Sequence, residues 1–172
     1  MRNAKHSTMD VKGWVVAVLQ NIHTGEVKII RGRNLISNDG DIYYAKLGSK
    51  EMPTYDFAQG GLILGTGTST PTKTDKGCTT IISGTYKTIY PGYPKTNDDD
   101  TNNDYYGNAD YITYKYFYGR DDANVEDISE GAIINKESSP DAGLCHFLFD
   151  EPFTKDNTYY LTVYVNHEFL GE

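Results

Sequence analysis

The chain holds only two cysteines and one tryptophan in 172 residues, and its longest apolar run, Trp14 to Leu19, is six residues. A run that short excludes a bilayer-spanning helix, which needs about 20 apolar residues. Cys78 and Cys145 are too few and too far apart for a disulfide framework or a closed zinc site, and there is no Cys-x-x-Cys. They read as two reduced, buried thiols, able to form one bridge only if the fold brings them together. No Asn-x-Ser/Thr sequon occurs, and the basic N-terminus lacks the small-residue cleavage pattern of a secretory signal. Basic residues are also in deficit: 16 Lys plus Arg stand against 24 Asp plus Glu, a formal charge of −8. A protein that neutralises nucleic-acid phosphates needs clustered cations, so no nucleic-acid partner is expected, and no membrane partner. What is plentiful is tyrosine, with 15 against six phenylalanines. Tyrosine suits half-buried strands and wet contact surfaces because one end of the ring is polar.

Period-two patterning dominates the chain. Trp14 to Gln20 and Glu26 to Arg31 flank Asn21-Ile22-His23-Thr24-Gly25, the layout of a hairpin with glycine where a positive φ is wanted. A single short helix is predicted near 41–47, with Ile42, Ala45 and Leu47 on one face and Gly48 as its C-terminal stop. Leu62-Ile63-Leu64 is a short buried strand, and Cys78 to Tyr90 reads as extended. In Tyr111 to Tyr118, residues Ile112, Tyr114, Tyr116 and Tyr118 share one face, and Tyr111, Thr113, Lys115 and Phe117 the other. Further strands are predicted in Val125 to Ile134, Leu144 to Phe149 and Tyr159 to Phe169. The economical architecture is all-β, an antiparallel β-sandwich of jelly-roll-like or immunoglobulin-like type. Residues 1–10 are expected to form an N-terminal arm, and 11–172 one sandwich domain with a polar insertion loop near 91–108.

No constellation announces catalysis, and no enzyme is expected. Gly65-Thr66-Gly67 lacks the Gly-Lys-Ser/Thr finish of a phosphate loop and the third glycine of a dinucleotide fingerprint, so these glycines read as letting a strand bend. His146 and His167 lie in strands where they would neighbour across a sheet, and lone strand histidines are far more often packed than catalytic. Asp127 and Glu130 would form an acid pair only if a cleft faced them. Asp98, Asp100, Asn102 and Asp104 alternate as calcium-loop ligands do, but the glycine and glutamate that an EF-hand loop needs are missing. They read mainly as a solvated loop tip; no cofactor and no other metal is expected. Tyr90, Tyr93, Tyr105, Tyr106, Tyr116 and Tyr118 are the candidate interface residues, since tyrosine gives contact area at low entropic cost.

Several segments in order carry a resemblance. Asn34-Leu35-Ile36, Gly40 and Tyr43-Tyr44-Ala45 precede Leu62-Ile63-Leu64-Gly65-Thr66-Gly67-Thr68 and Pro71-Thr72-Lys73-Thr74-Asp75. Tyr114-Lys115-Tyr116-Phe117, Ile128 to Ile133, Phe147-Leu148-Phe149 with Pro152 to Lys155, and Leu161-Thr162-Val163 with Val165-Asn166 follow. Together they resemble the small β-sandwich virion structural proteins of tailed bacteriophages. The resemblance implies a non-enzymatic capsid decoration protein in the virion, with the major capsid protein as partner and homo-oligomers allowed. Neck, tail or baseplate placement is the alternative, and a carbohydrate-binding module the remote one.

Overall fold

Alternation of apolar and polar residues lets a strand bury one face and wet the other, and in this chain it is laid out over eight strands in one continuous antiparallel sheet. The computed structural model describes residues 12–96 and 110–169. The strands are β1 (Lys12–Asn21), β2 (Val27–Ile36), β3 (Gly61–Gly65), β4 (Lys87–Thr88), β5 (Tyr111–Tyr118), β6 (Val125–Ile134), β7 (Gly143–Lys155) and β8 (Tyr159–Glu168), with the helix α1 (Asn38–Gly48) between β2 and β3. Their order across the sheet is β4-β3-β6-β7-β2-β1-β8-β5. The all-β class and the short helix are as read from the sequence. The sheet is nearly closed on itself: just past β4 the Tyr90 N–H donates to the Lys115 carbonyl at 2.8 Å, and Lys95 and Thr113 exchange both backbone bonds.

Register fixes which side chains look inward. Gly32, Val15, Val165 and Tyr114 stand opposite one another across four strands, as do Ile30, Ala17, Val163 and Tyr116. Those faces form the core with Phe147 and Phe149 of β7 and Leu62 and Leu64 of β3. The alternate residues, Lys115, Tyr164, Val16 and Arg31 in one row, face outward.

The β1–β2 turn follows expectation: Gly25 has φ 73°, and the Asn21 carboxamide oxygen accepts the N–H groups of His23 and Thr24. Helix α1 starts at Ser37, whose hydroxyl oxygen accepts the Gly40 N–H at 3.0 Å. It runs wider than 41–47, and the left-handed residue beyond it is Lys50 at φ 60°, not Gly48. Between Cys78 and Tyr90 the extended reading gives way to two strand residues and an isolated Gly65–Ile81 bridge. Residues 66–86 form a strap over the outward face of β3 and β6, where Cys78 and Tyr86 cover Ile63, Ala132 and Ile134. The expected N-terminal arm lies outside the described residues.

Candidate functional site

Beneath the strap, Glu130 of β6 and His146 of β7 line up with Asp75 of the strap itself. Glu130 and His146 are 0% and 1% exposed, and the His146 ring contacts Glu130 Oε2 through Nε2 at 2.7 Å and Asp75 Oδ2 through Nδ1 at 2.7 Å. Glu130 Oε1 also accepts the N–H groups of Gly67 and Thr80, and Oε2 that of Thr79. Burial pushes the Glu130 carboxyl up, but these backbone donors and the His146 ring outweigh it and hold it below its ordinary value. The same balance holds Asp75 low: burial raises it, and Thr72, through its hydroxyl and N–H, and then His146 lower it further.

Gly65 and Gly67 acquire their reason here. Neither has a positive φ, but a Cβ on either would overlap the Glu130 carboxylate. Their smallness, rather than a bend, lets the carboxylate reach the backbone. The array ties the strap to the sheet, and both ring nitrogens and all four carboxylate oxygens in it have partners inside the fold. Asp127 stands apart from it, exposed on a bulge of β6 with φ 56°, so Asp127 and Glu130 do not form a pair.

His167 does not join His146. It faces inward on β8, where its Nδ1 meets the Tyr44 hydroxyl at 2.5 Å and Tyr44 meets the Tyr114 hydroxyl at 3.1 Å. Complete burial pushes the His167 imidazole down to about 3, so it is neutral. Its Nε2 has no hydrogen-bond partner among the described residues, nor does the Tyr116 hydroxyl. The buried Lys155 ammonium spends its donors on Asn124 Oδ1 and the carbonyls of Arg120 and Asp156. Cys145 is an inward, buried free thiol and Cys78 a free thiol under the strap. No group of three His, Cys, Asp or Glu among the described residues is arranged to hold a metal ion.

The second feature is on the open surface. Phe117, Thr162, Val18 and Ile29 stand in one outward row across β5, β8, β1 and β2, and Tyr160, Gln20 and Val27 in the next. Phe117 is 36% exposed, Tyr160 38%, Tyr90 41% and Ile29 40%, and the Phe117 ring lies 5.7 Å from Tyr160 and 6.4 Å from Tyr90. Tyr93 joins at 6.4 Å from Tyr90. Of the tyrosines singled out in sequence, Tyr90 and Tyr93 therefore sit on this surface. Tyr116 and Tyr118 do not: they are 0% and 1% exposed, turned inward by the pleat, so neither offers contact area to a partner. Tyr105 and Tyr106, and the calcium-like Asp98, Asp100, Asn102 and Asp104, lie outside the described residues. Sequence reasoning missed Phe117 and Tyr160, although the alternation that buries Tyr116 and Leu161 points both outward. It also missed Asp75, whose link to His146 has no local signal. Compared with protein-family models, curated proteins and solved structures, the chain matches none.

Proposed function

We propose that this protein is a non-enzymatic structural component of a tailed-phage particle, a capsid decoration protein held by contact with the major capsid protein. The observation that carries a contact role is the outward aromatic and aliphatic band of Phe117, Tyr160, Val18, Ile29 and Val27 on a four-strand face, with Tyr90 beside Phe117. A row of large apolar side chains on the wet side of a sheet is the mark of a surface that is covered in use. Fully burying one such side chain is worth about 1.5–3 kcal/mol. The sequence resemblance supplies the virion. Engagement of the Asp75–His146–Glu130 array within the fold supports the non-enzymatic reading, since its ring nitrogens and carboxylate oxygens already have partners.

The test adds labelled protein to phage particles that lack it. The expected result is labelled heads, unchanged by stripping the tails, with binding lost in a Phe117→Ser/Tyr160→Ser variant whose melting temperature stays near that of the parent. Signal that leaves with the tails moves the protein to neck, tail or baseplate. Absence of particle binding, with glycan binding on an array, replaces the reading by a carbohydrate-binding module.

A further inference from the structure

One corner of the contact band differs from the rest. Lys115, pointing outward from the middle of β5, holds its ammonium 4.3 Å from the Tyr90 ring centre and 5.6 Å from those of Tyr93 and Tyr164. Lys95 places a second ammonium 5.1 Å from the same Tyr93 ring. Neither lysine forms an ion pair with a carboxylate among the described residues, where Lys28, Lys73, Lys87 and Lys136 all do. Burial and then the charge of Lys95 lower the Lys115 ammonium below its ordinary value, so the two cations feel each other. Along β5 and β8, the outward positions from the Thr113–Asn166 pair to the Phe117–Thr162 pair carry no carboxylate.

An ammonium on a ring face uses one side of its charge and keeps N–H donors for anionic oxygens. We propose that the Lys95–Lys115–Tyr90–Tyr93 cluster grips an acidic segment of the assembly partner, with a carboxylate on the two ammoniums and a neighbouring apolar side chain on Phe117 and Tyr160. This deepens the contact reading and rests on it. A second copy is the poorer occupant, because an isologous contact through this face sets lysines against lysines. A nucleic-acid backbone is poorer too, since two cations on an acidic protein release few counterions.

The test is a titration of isotope-labelled full-length protein with poly-L-glutamate at low and raised salt, in parallel with oligo-deoxythymidine, read by amide chemical shifts. Expected are salt-sensitive shifts centred on Lys95, Lys115 and Phe117, and at least tenfold weaker binding by a Lys95→Glu/Lys115→Glu variant. Shifts centred elsewhere, equal binding by the variant, tighter binding of the oligonucleotide, or self-association abolished by the variant would each overturn the proposal. The same variant on phage particles separates the two readings. Retention that survives Lys95→Glu/Lys115→Glu but not Phe117→Ser/Tyr160→Ser sinks the acidic partner and leaves the contact role standing. Localised glutamate binding without particle binding sinks the virion and leaves the cluster.

Discussion

His167 and His146 occupy sequence positions of the same kind, alternating strand residues, and end in different surroundings because the pleat turns them to opposite sides. Inward, His167 meets only hydroxyl and apolar groups and stays neutral, with its imidazole near 3. The unfolded chain binds a proton there near the ordinary value of about 6.5, so between roughly pH 6.5 and 3 it holds one proton more than the folded chain. Stability is therefore full above about pH 6.5 and falls as the pH drops toward 3, by up to about 1.4 kcal/mol per pH unit. Urea midpoints taken from pH 7 to pH 5 should show this slope, and His167→Gln should flatten it by one proton's worth. An unchanged slope would mean that the imidazole is charged in the fold. The depressed Asp75 and Glu130 carboxyls add acid lability only lower, as the pH falls below the ordinary carboxylate range.

At the scale of elements, the strap of residues 66–86 has almost no secondary structure of its own and is held by side chains together with a few backbone bonds, Ile82 N–H to the Leu64 carbonyl and Asn38 N–H to the Lys73 carbonyl. Glu130 takes three of its backbone N–H groups, His146 takes Asp75, and the Ser129 hydroxyl donates to the Gly67 carbonyl at 2.8 Å. His146→Ala removes the link to Asp75 and leaves the buried Glu130 carboxylate short of one hydrogen-bond partner. A loss of about 1–3 kcal/mol is expected, the cost of leaving a buried polar group unsatisfied. Trypsin should then cut first at Lys73 and Lys76 on the released strap, while β1, β2 and β8 keep their amide protection. Retention of parental stability would show that the apolar contacts of Cys78 and Tyr86 hold the strap without the array. Little of this was legible beforehand: Asp75 is 71 residues from His146, and no local spacing encodes that meeting. Strands were legible because burial on one face repeats every second residue, as in Ile112 to Tyr118. Glu130 read only as half of a conditional acid pair with Asp127, since the sequence does not say that a loop crosses above it.

For the whole molecule, the seam between β4 and β5 decides how the sheet ends. The Tyr90 to Lys115 bond, the Lys95 and Thr113 pair and the Tyr118 hydroxyl donating to the Thr85 carbonyl at 2.9 Å occupy what would otherwise be open edges. Because β4 has only two residues, this seam is where the nearly closed sheet is expected to open first. Tyr118→Phe should cost about 1 kcal/mol, the net worth of one hydrogen bond, and should speed hydrogen exchange at Tyr90 and Thr113 while leaving β1 unchanged. Equal protection throughout would place the weak point elsewhere.

The sequence by itself determined the class of the molecule. Alternation laid down the faces of the strands, Asn21 to Gly25 the first turn, and Asp41 to Leu47 the presence of one short helix, because these depend on residues a few positions apart. Tertiary structure alone decided what lies over each face. It buried Tyr116 and Tyr118, kept Phe117 and Tyr160 on the surface, set two lysines over one shared tyrosine ring, and closed a strap over His146. Those outcomes depend on where distant segments pass, and a period of two residues carries no information about that.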